Sequence, residues 1–183
     1  LSISGMENLV SAAERRMLLN HQKKTTVRIA DFWGVVPAIT GKVELVYEGE
    51  QEGPYNVAIQ LLGQAVREEF LEIFPDPEKV KRGEQKDPFG TMRAWFSAGN
   101  VLELLNDDSD KDFQKALEAE AGLRKFVEKE KDAFDKEDIF LYMELVVHAL
   151  SEFDVLSKEV MDNNISFRDL LANMWDEDDD NDL

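Results

Sequence analysis

Residues 5–49 read GMENLVSAAERRMLLN, then HQKKTTV, then RIADFWGVVPAITGKVELVYEG. Met6, Leu9, Val10, Ala13, Met17 and Leu18 recur at helical spacing. They predict one apolar stripe on a helix from Gly5 to Leu19, with Glu14, Arg15 and Arg16 mostly off it. Asn20 to Thr26 is polar, with two adjacent threonines, and reads as a connector. A second helix is predicted from Ile29 to Val36, closed by Pro37, whose ring and missing N–H do not continue a helix. In Gly41 to Gly49, Val43, Leu45 and Tyr47 alternate imperfectly with Lys42, Glu44, Val46 and Glu48, the pattern of a short strand. Two short helices about a turn, with at most a short β segment, set the fold class as mainly α.

The same stretch stands apart in charge. Residues 1–50 carry six Lys/Arg and six Asp/Glu, so the net charge of −18 in the 183-residue chain lies wholly beyond residue 50. Such asymmetry points to two parts that face different partners. With 43% apolar residues the chain has material for a real core. It has no cysteine, which excludes disulfides and Cys-based metal sites. No signal peptide is visible, and the longest apolar run, Ile139 to Leu150, is broken by Glu144 and His148. That run is too short to span a bilayer, so the expectation is a cytoplasmic protein without a membrane partner. A pI near 4.4 argues against nucleic acid, whose phosphates this field repels. Arg15, Arg16, Lys23, Lys24 and Arg28 form the one basic run, read as a solvated helix end or as a surface for phosphates or an acidic neighbour.

Further along, Pro54 suits a first helical position. A long helix is predicted to Ile73, with Tyr55, Ala58, Ile59, Leu62, Val66, Phe70 and Ile73 on a broad apolar face. Residues 76–88 are polar, contain Pro77, Gly83 and Pro88, and read as a linker between a module at 1–75 and an acidic helical domain at 89–175. In that domain a helix from Phe89 to Ser97 is capped by Gly99, and Val101 to Leu105 is extended. Asp108 or Ser109 opens a helix through Ala119, which Gly122 ends, and another covers Leu123 to Lys131. Asp135 and Asp138 cap a helix from Lys136 to Phe153 that is apolar nearly all round and therefore central. Ser166 caps a final helix to Met174. Six of the last eight residues are acidic, and 176–183 is expected to be a disordered tail.

No catalytic constellation emerges, and no catalytic or metal-ligating residue is assigned. No GxxxxGK[ST] phosphate loop exists, although Leu170 to Glu177 superficially resembles an apolar strand ending in Asp-Glu. Asp108 to Asp112 imitates the start of a calcium loop, but the sixth position is Phe113 where Gly is needed and the twelfth is Ala119 where Glu is needed. The run reads as an acidic helix start. His148 has Glu144 and Glu152 each four residues away, which admits a metal or proton-transfer site; a satisfied, partly buried histidine is the plainer reading. His21 has no visible partner. Trp33 and Trp95 read as core, and Trp175 as exposed.

Ser11-Ala-Ala-Glu-Arg-Arg16, then Val27-Arg-Ile-Ala-Asp31, then Val36-Pro-Ala38 resemble the small helical lid of AAA+ ATPases. The nearest group is the bacterial magnesium chelatase ATPase subunit with its MoxR-type relatives, and the likeness covers about residues 4–72. It implies a helical lid that hinges on a nucleotide-binding core, with ATP and magnesium held by that core and none by this chain. It also implies a ring-forming homo-oligomer and an unidentified partner protein that is remodelled. The core is expected before Leu1, where the sequence starts without Met. Nucleotide-facing positions would fall at Ser4, Gly5, Arg15 and Arg16. Lids of this type carry an arginine near Ser4 and Gly5, where neither residue is basic, and Arg15 and Arg16 lie three turns further on. The rival readings are an independent acidic helical adaptor for a basic partner protein and, third, a metal-dependent enzyme using His148.

Overall fold

The computed structural model describes residues 2–42, 44, 52–84, 86–130, 138–161 and 163–171. These residues form a mainly helical protein with a small antiparallel sheet of three strands. Helix α1 (Ser2–Leu19) starts three residues earlier than its apolar stripe predicts. Ile29–Val35 follows as a 3-10 helix and leads directly into α2 (Val36–Thr40). Pro37 therefore does not close a helix. It stands in the first turn of α2, where its missing N–H has no intrahelical partner to lose. The 3-10 helix lies against α1 at Gly34, where an added Cβ would stand 3.2 Å from the Ala12 Cβ and 3.3 Å from the Asn8 carbonyl oxygen. Apart from Gly41, Lys42 and Glu44, the strand expected at 41–49 lies outside the described residues.

Helix α3 (Pro54–Ile73) has the predicted limits. Inside the stretch read as a linker stands a short helix, α4 (Pro77–Lys81), capped by the Asp76 carboxylate, which accepts from the Glu78 N–H. Aromatic packing crosses this stretch. Phe70 meets Phe74 at 5.1 Å between ring centroids, and Phe74 and Phe89 meet Phe126 at 5.4 and 5.3 Å.

Helix α5 (Gly90–Ser97) ends before Gly99, which adopts φ 85° as a left-handed helix stop does. Strand β1 (Leu102–Leu105) leads to α6 (Asp110–Leu117), capped by Ser109 through the Asp112 N–H. Gly122 does not end that helix. It lies in the first turn of α7 (Ala121–Glu130), with its N–H held by the Glu120 carboxylate at 2.9 Å. Helix α8 (Ile139–Glu152) follows, and the Asp138 side chain makes no cap hydrogen bond to it. Met143, Val146, Val147, Ala149 and Leu150 of α8 are buried on several sides, which makes it the central element.

Where the last helix is predicted to start, the chain instead forms strand β3 (Asn164–Asp169), which pairs with β2 (Leu156–Met161) in a hairpin. The strand order is β1-β3-β2, with Leu102 opposite Phe167 and Lys158 opposite Phe167 on the other side. Ser166 thus sits mid-strand rather than at a helix start. Ile165 and Phe167, two apart, enter the core together, which is a strand period and not a helical one. The C-terminal limit of that predicted helix and the acidic tail lie outside the described residues.

Candidate functional site

Where α1 and the 3-10 helix meet the second half, the chain buries charge. The Arg16 side chain, 1% exposed, pairs with the Asp31 carboxylate and donates to the Thr26 carbonyl at 2.7 Å and the Thr25 hydroxyl at 3.2 Å. Asp31 also accepts from the Arg28 backbone N–H at 2.8 Å. The Arg28 guanidinium donates to Asp110 at 2.8 Å and lies 4.0 Å from the centre of the Phe113 ring. From α8, the Glu144 carboxylate accepts the Ile29 N–H at 2.6 Å and the Ala30 N–H at 3.1 Å. It caps the 3-10 helix from 115 residues away, satisfying two amides that have no partner inside the helix. Burial above all pushes the Glu144 carboxyl up to about 7, against the pull of the two amides and of Arg28. Burial, then the Arg16 charge, lowers Arg28 from the ordinary arginine value.

The four positions assigned to nucleotide do not converge. The Ser4 hydroxyl accepts from the Lys42 ammonium at 2.9 Å, and Gly5 is buried beside Val35. Arg15 and Arg16 lie about 16 Å further along α1 at the rise of a helix. There they line a polar hollow of about 320 Å³ with Asp31, Asn106 and Asp107. Arg15 bridges Asp107 at 2.7 Å on the surface. The basic run is therefore more than a solvated helix end: Arg16 and Arg28 are buried, and Asp107 and Asp110 of this same chain are the acidic neighbours that Arg15 and Arg28 face.

Beside this seam opens an apolar cleft of about 420 Å³. Trp33 of the 3-10 helix, Leu62 and Val66 of α3, Leu145 and His148 of α8, and Val160 of β2 line it. Besides His148 its polar side chains are Glu69, Glu152 and Lys158, and the last two form an ion pair. His148 is 5% exposed, with its ring edge-on to Phe167 at 5.0 Å. Its Nε2 has no hydrogen-bond partner and lies 3.9 Å from a Glu144 oxygen. The plainer reading of a satisfied histidine thus fails at Nε2. Burial, then the Lys158 charge, lowers its pKa to about 3, so the ring is neutral at physiological pH. Glu152 turns to Lys158 rather than to His148, and among the described residues no group of three or more His, Cys, Asp or Glu is placed to hold a metal.

The remaining candidates resolve simply. The Asp108–Asp112 run starts α6, with Asp110 accepting from Arg28 and from the Thr25 hydroxyl at 2.9 Å. His21 is exposed in a left-handed turn at φ 52°. Trp33 and Trp95 are half-buried, Trp95 edge-on to Phe96 at 4.9 Å, and Trp175 lies outside the described residues. Sequence reading missed Asp31, Glu69 and the Glu152–Lys158 pair. Glu144, a lone acid in an apolar run, was the one signal that pointed to the seam. Compared with known proteins, the chain matches no family model, no curated protein and no solved structure.

Proposed function

We propose that this chain is the lid and accessory region of a AAA+ ATPase of the magnesium chelatase group. In this reading a nucleotide-binding core, which the resemblance places ahead of Leu1, holds ATP and magnesium. The chain converts hydrolysis there into a change of angle that remodels a partner protein within a ring-forming homo-oligomer. One observation carries the reading: α1 is bolted to the second half through buried charge. A rotation applied to α1 is passed by Arg16 to Asp31, and by the 3-10 helix to Glu144 and α8. A lever must resist bending, and groups held by several directed bonds in a dry setting do so.

The test joins this chain to the coding sequence that precedes Leu1. The expected outcome is ATP hydrolysis by the joined protein and neither hydrolysis nor saturable ATP binding by the 183-residue chain alone. Asp31→Ala in the joined protein is expected to retain hydrolysis while partner remodelling falls. Turnover by the chain alone, or a preceding sequence without a phosphate loop, overturns the reading.

A further inference from the structure

The apolar cleft is open to solvent along β2, the border strand of the sheet among the described residues. Val160, one of its walls, is 46% exposed, so an uncovered apolar side chain stands at the entrance. An apolar hollow of this size with few, localised polar groups has the character of a binding site. We propose that the cleft docks an amphipathic helix of a partner protein, with its apolar side chains between α3 and the 3-10 helix and a Lys or Arg against Glu69.

Charge selects this occupant. From Arg67 to Ile73, α3 carries Glu68, Glu69 and Glu72 against a single cation, Arg67. Arg67 is engaged elsewhere, with Glu78 at 3.2 Å and over the Phe153 ring at 4.5 Å. The one cation in the cleft, Lys158, is paired to Glu152, and the histidine in its wall is neutral. Glu69 is exposed at the cleft, within reach of an incoming group. An anionic ligand would meet that carboxylate and a chain of net charge −18. The apolar walls of α3 and the 3-10 helix suit leucine-type anchors at helical spacing.

Gly63 leaves room for the other acid of the cleft, Glu152. A Cβ there would stand 2.5 Å from a Glu152 carboxylate oxygen, so that carboxylate lies against α3 at a residue without a side chain. The proposal gives the acidic-adaptor reading a surface and does not rest on the motor reading, since it needs neither ATP nor an upstream core.

The test titrates the full chain into a fluorescein-labelled peptide of Leu and Lys at helical spacing and follows anisotropy, with a Leu/Glu peptide as control. The Leu/Lys peptide is expected to bind saturably, and the Leu/Glu peptide not to bind. Glu69→Lys and Val160→Lys, both at exposed positions, are each expected to weaken binding about tenfold or more. Glu7→Lys on the exposed side of α1 leaves it unchanged, and matching thermal melts show that all three variants are folded. Equal binding of the two peptides, indifference to both cleft substitutions, or no saturation at roughly millimolar concentration overturns the proposal. Uptake of a neutral apolar dye, blocked by Val160→Lys and without peptide binding, assigns the cleft to a small molecule and overturns it equally.

Discussion

Around α8 the chain buries apolar groups against apolar groups, while at the seam with α1 it buries guanidinium and carboxylate groups. Phe70, Phe74, Phe89, Phe126 and Phe153 meet one another at 5.1 to 6.4 Å, tilted or stacked. Such contacts are numerous, individually weak and tolerant of small rotations. The seam has a handful of partners, each in one geometry. Arg16 pairs with Asp31, Arg28 with Asp110, and Glu144 holds two amides. Desolvating those charges opposes most of what their attraction returns, so the seam adds little net stability but makes misalignment costly. The first region holds the fold together, and the second fixes the angle at which α1 leaves it.

Four tests break or sharpen that contrast. Val146→Asp puts a carboxylate at a fully buried position of α8 and is expected to destabilise by about 4 kcal/mol or more in a denaturant titration. Asp31→Ala strands Arg16 and leaves the Arg28 amide unmet, with an expected loss of about 3–5 kcal/mol. Arg16→Met with Asp31→Leu is expected to recover the part of that loss due to the stranded guanidinium in the same assay, while the Arg28 amide stays unmet. No such paired rescue is expected for Val146→Asp, and finding one would erase the distinction between the two regions.

The third test is pH. Glu144 titrates in the folded state at about 7, above its ordinary 4.5, so the folded state binds more protons in that window. Its contribution to stability is present below 4.5 and is lost as pH rises toward 7. His148 has the opposite sign. Its folded value of about 3 lies below the ordinary 6.5, so its contribution is present above 6.5 and is lost as pH falls toward 3. Between 4.5 and 6.5 the two slopes oppose each other. Glu144→Gln should leave stability rising with pH across that window, and His148→Leu should leave it falling, by at most about 1.4 kcal/mol per pH unit. Identical pH profiles for the two variants, measured by urea unfolding, would show that neither group titrates as its burial requires. The smallest effect belongs to Arg15→Ala, which removes the exposed pair with Asp107 and is expected to shift stability by about 0–1 kcal/mol.

Much of the helical half was legible because its signals are local. The limits of α3 follow from Pro54 and the polar stretch with Pro77 that succeeds it, and α8 was central by being apolar nearly all round. The hairpin was missed because Ser166 suits a helix start in isolation; only pairing with β1, some 60 residues earlier, selects the strand, as Leu102 opposite Phe167 shows. Pro37 was misjudged for a related reason, since proline ends one helix and begins the next with equal ease. The seam was illegible because its bonds join residues distant in sequence, Arg28 to Asp110 and Ile29 to Glu144. Periodicity carries no trace of such pairings. A lone acid in an apolar helix announces that a partner exists but not which one.

The Glu144 cap also constrains how the protein can be made. Ribosomal synthesis runs from the N-terminus, so Ile29 and Ala30 emerge 114 to 115 residues before the carboxylate that receives their amides. Before Glu144 emerges the opening segment can meet Asp107 and Asp110 but not the carboxylate that caps its 3-10 helix. Capping of the 3-10 helix by α8 therefore waits until synthesis has passed residue 144.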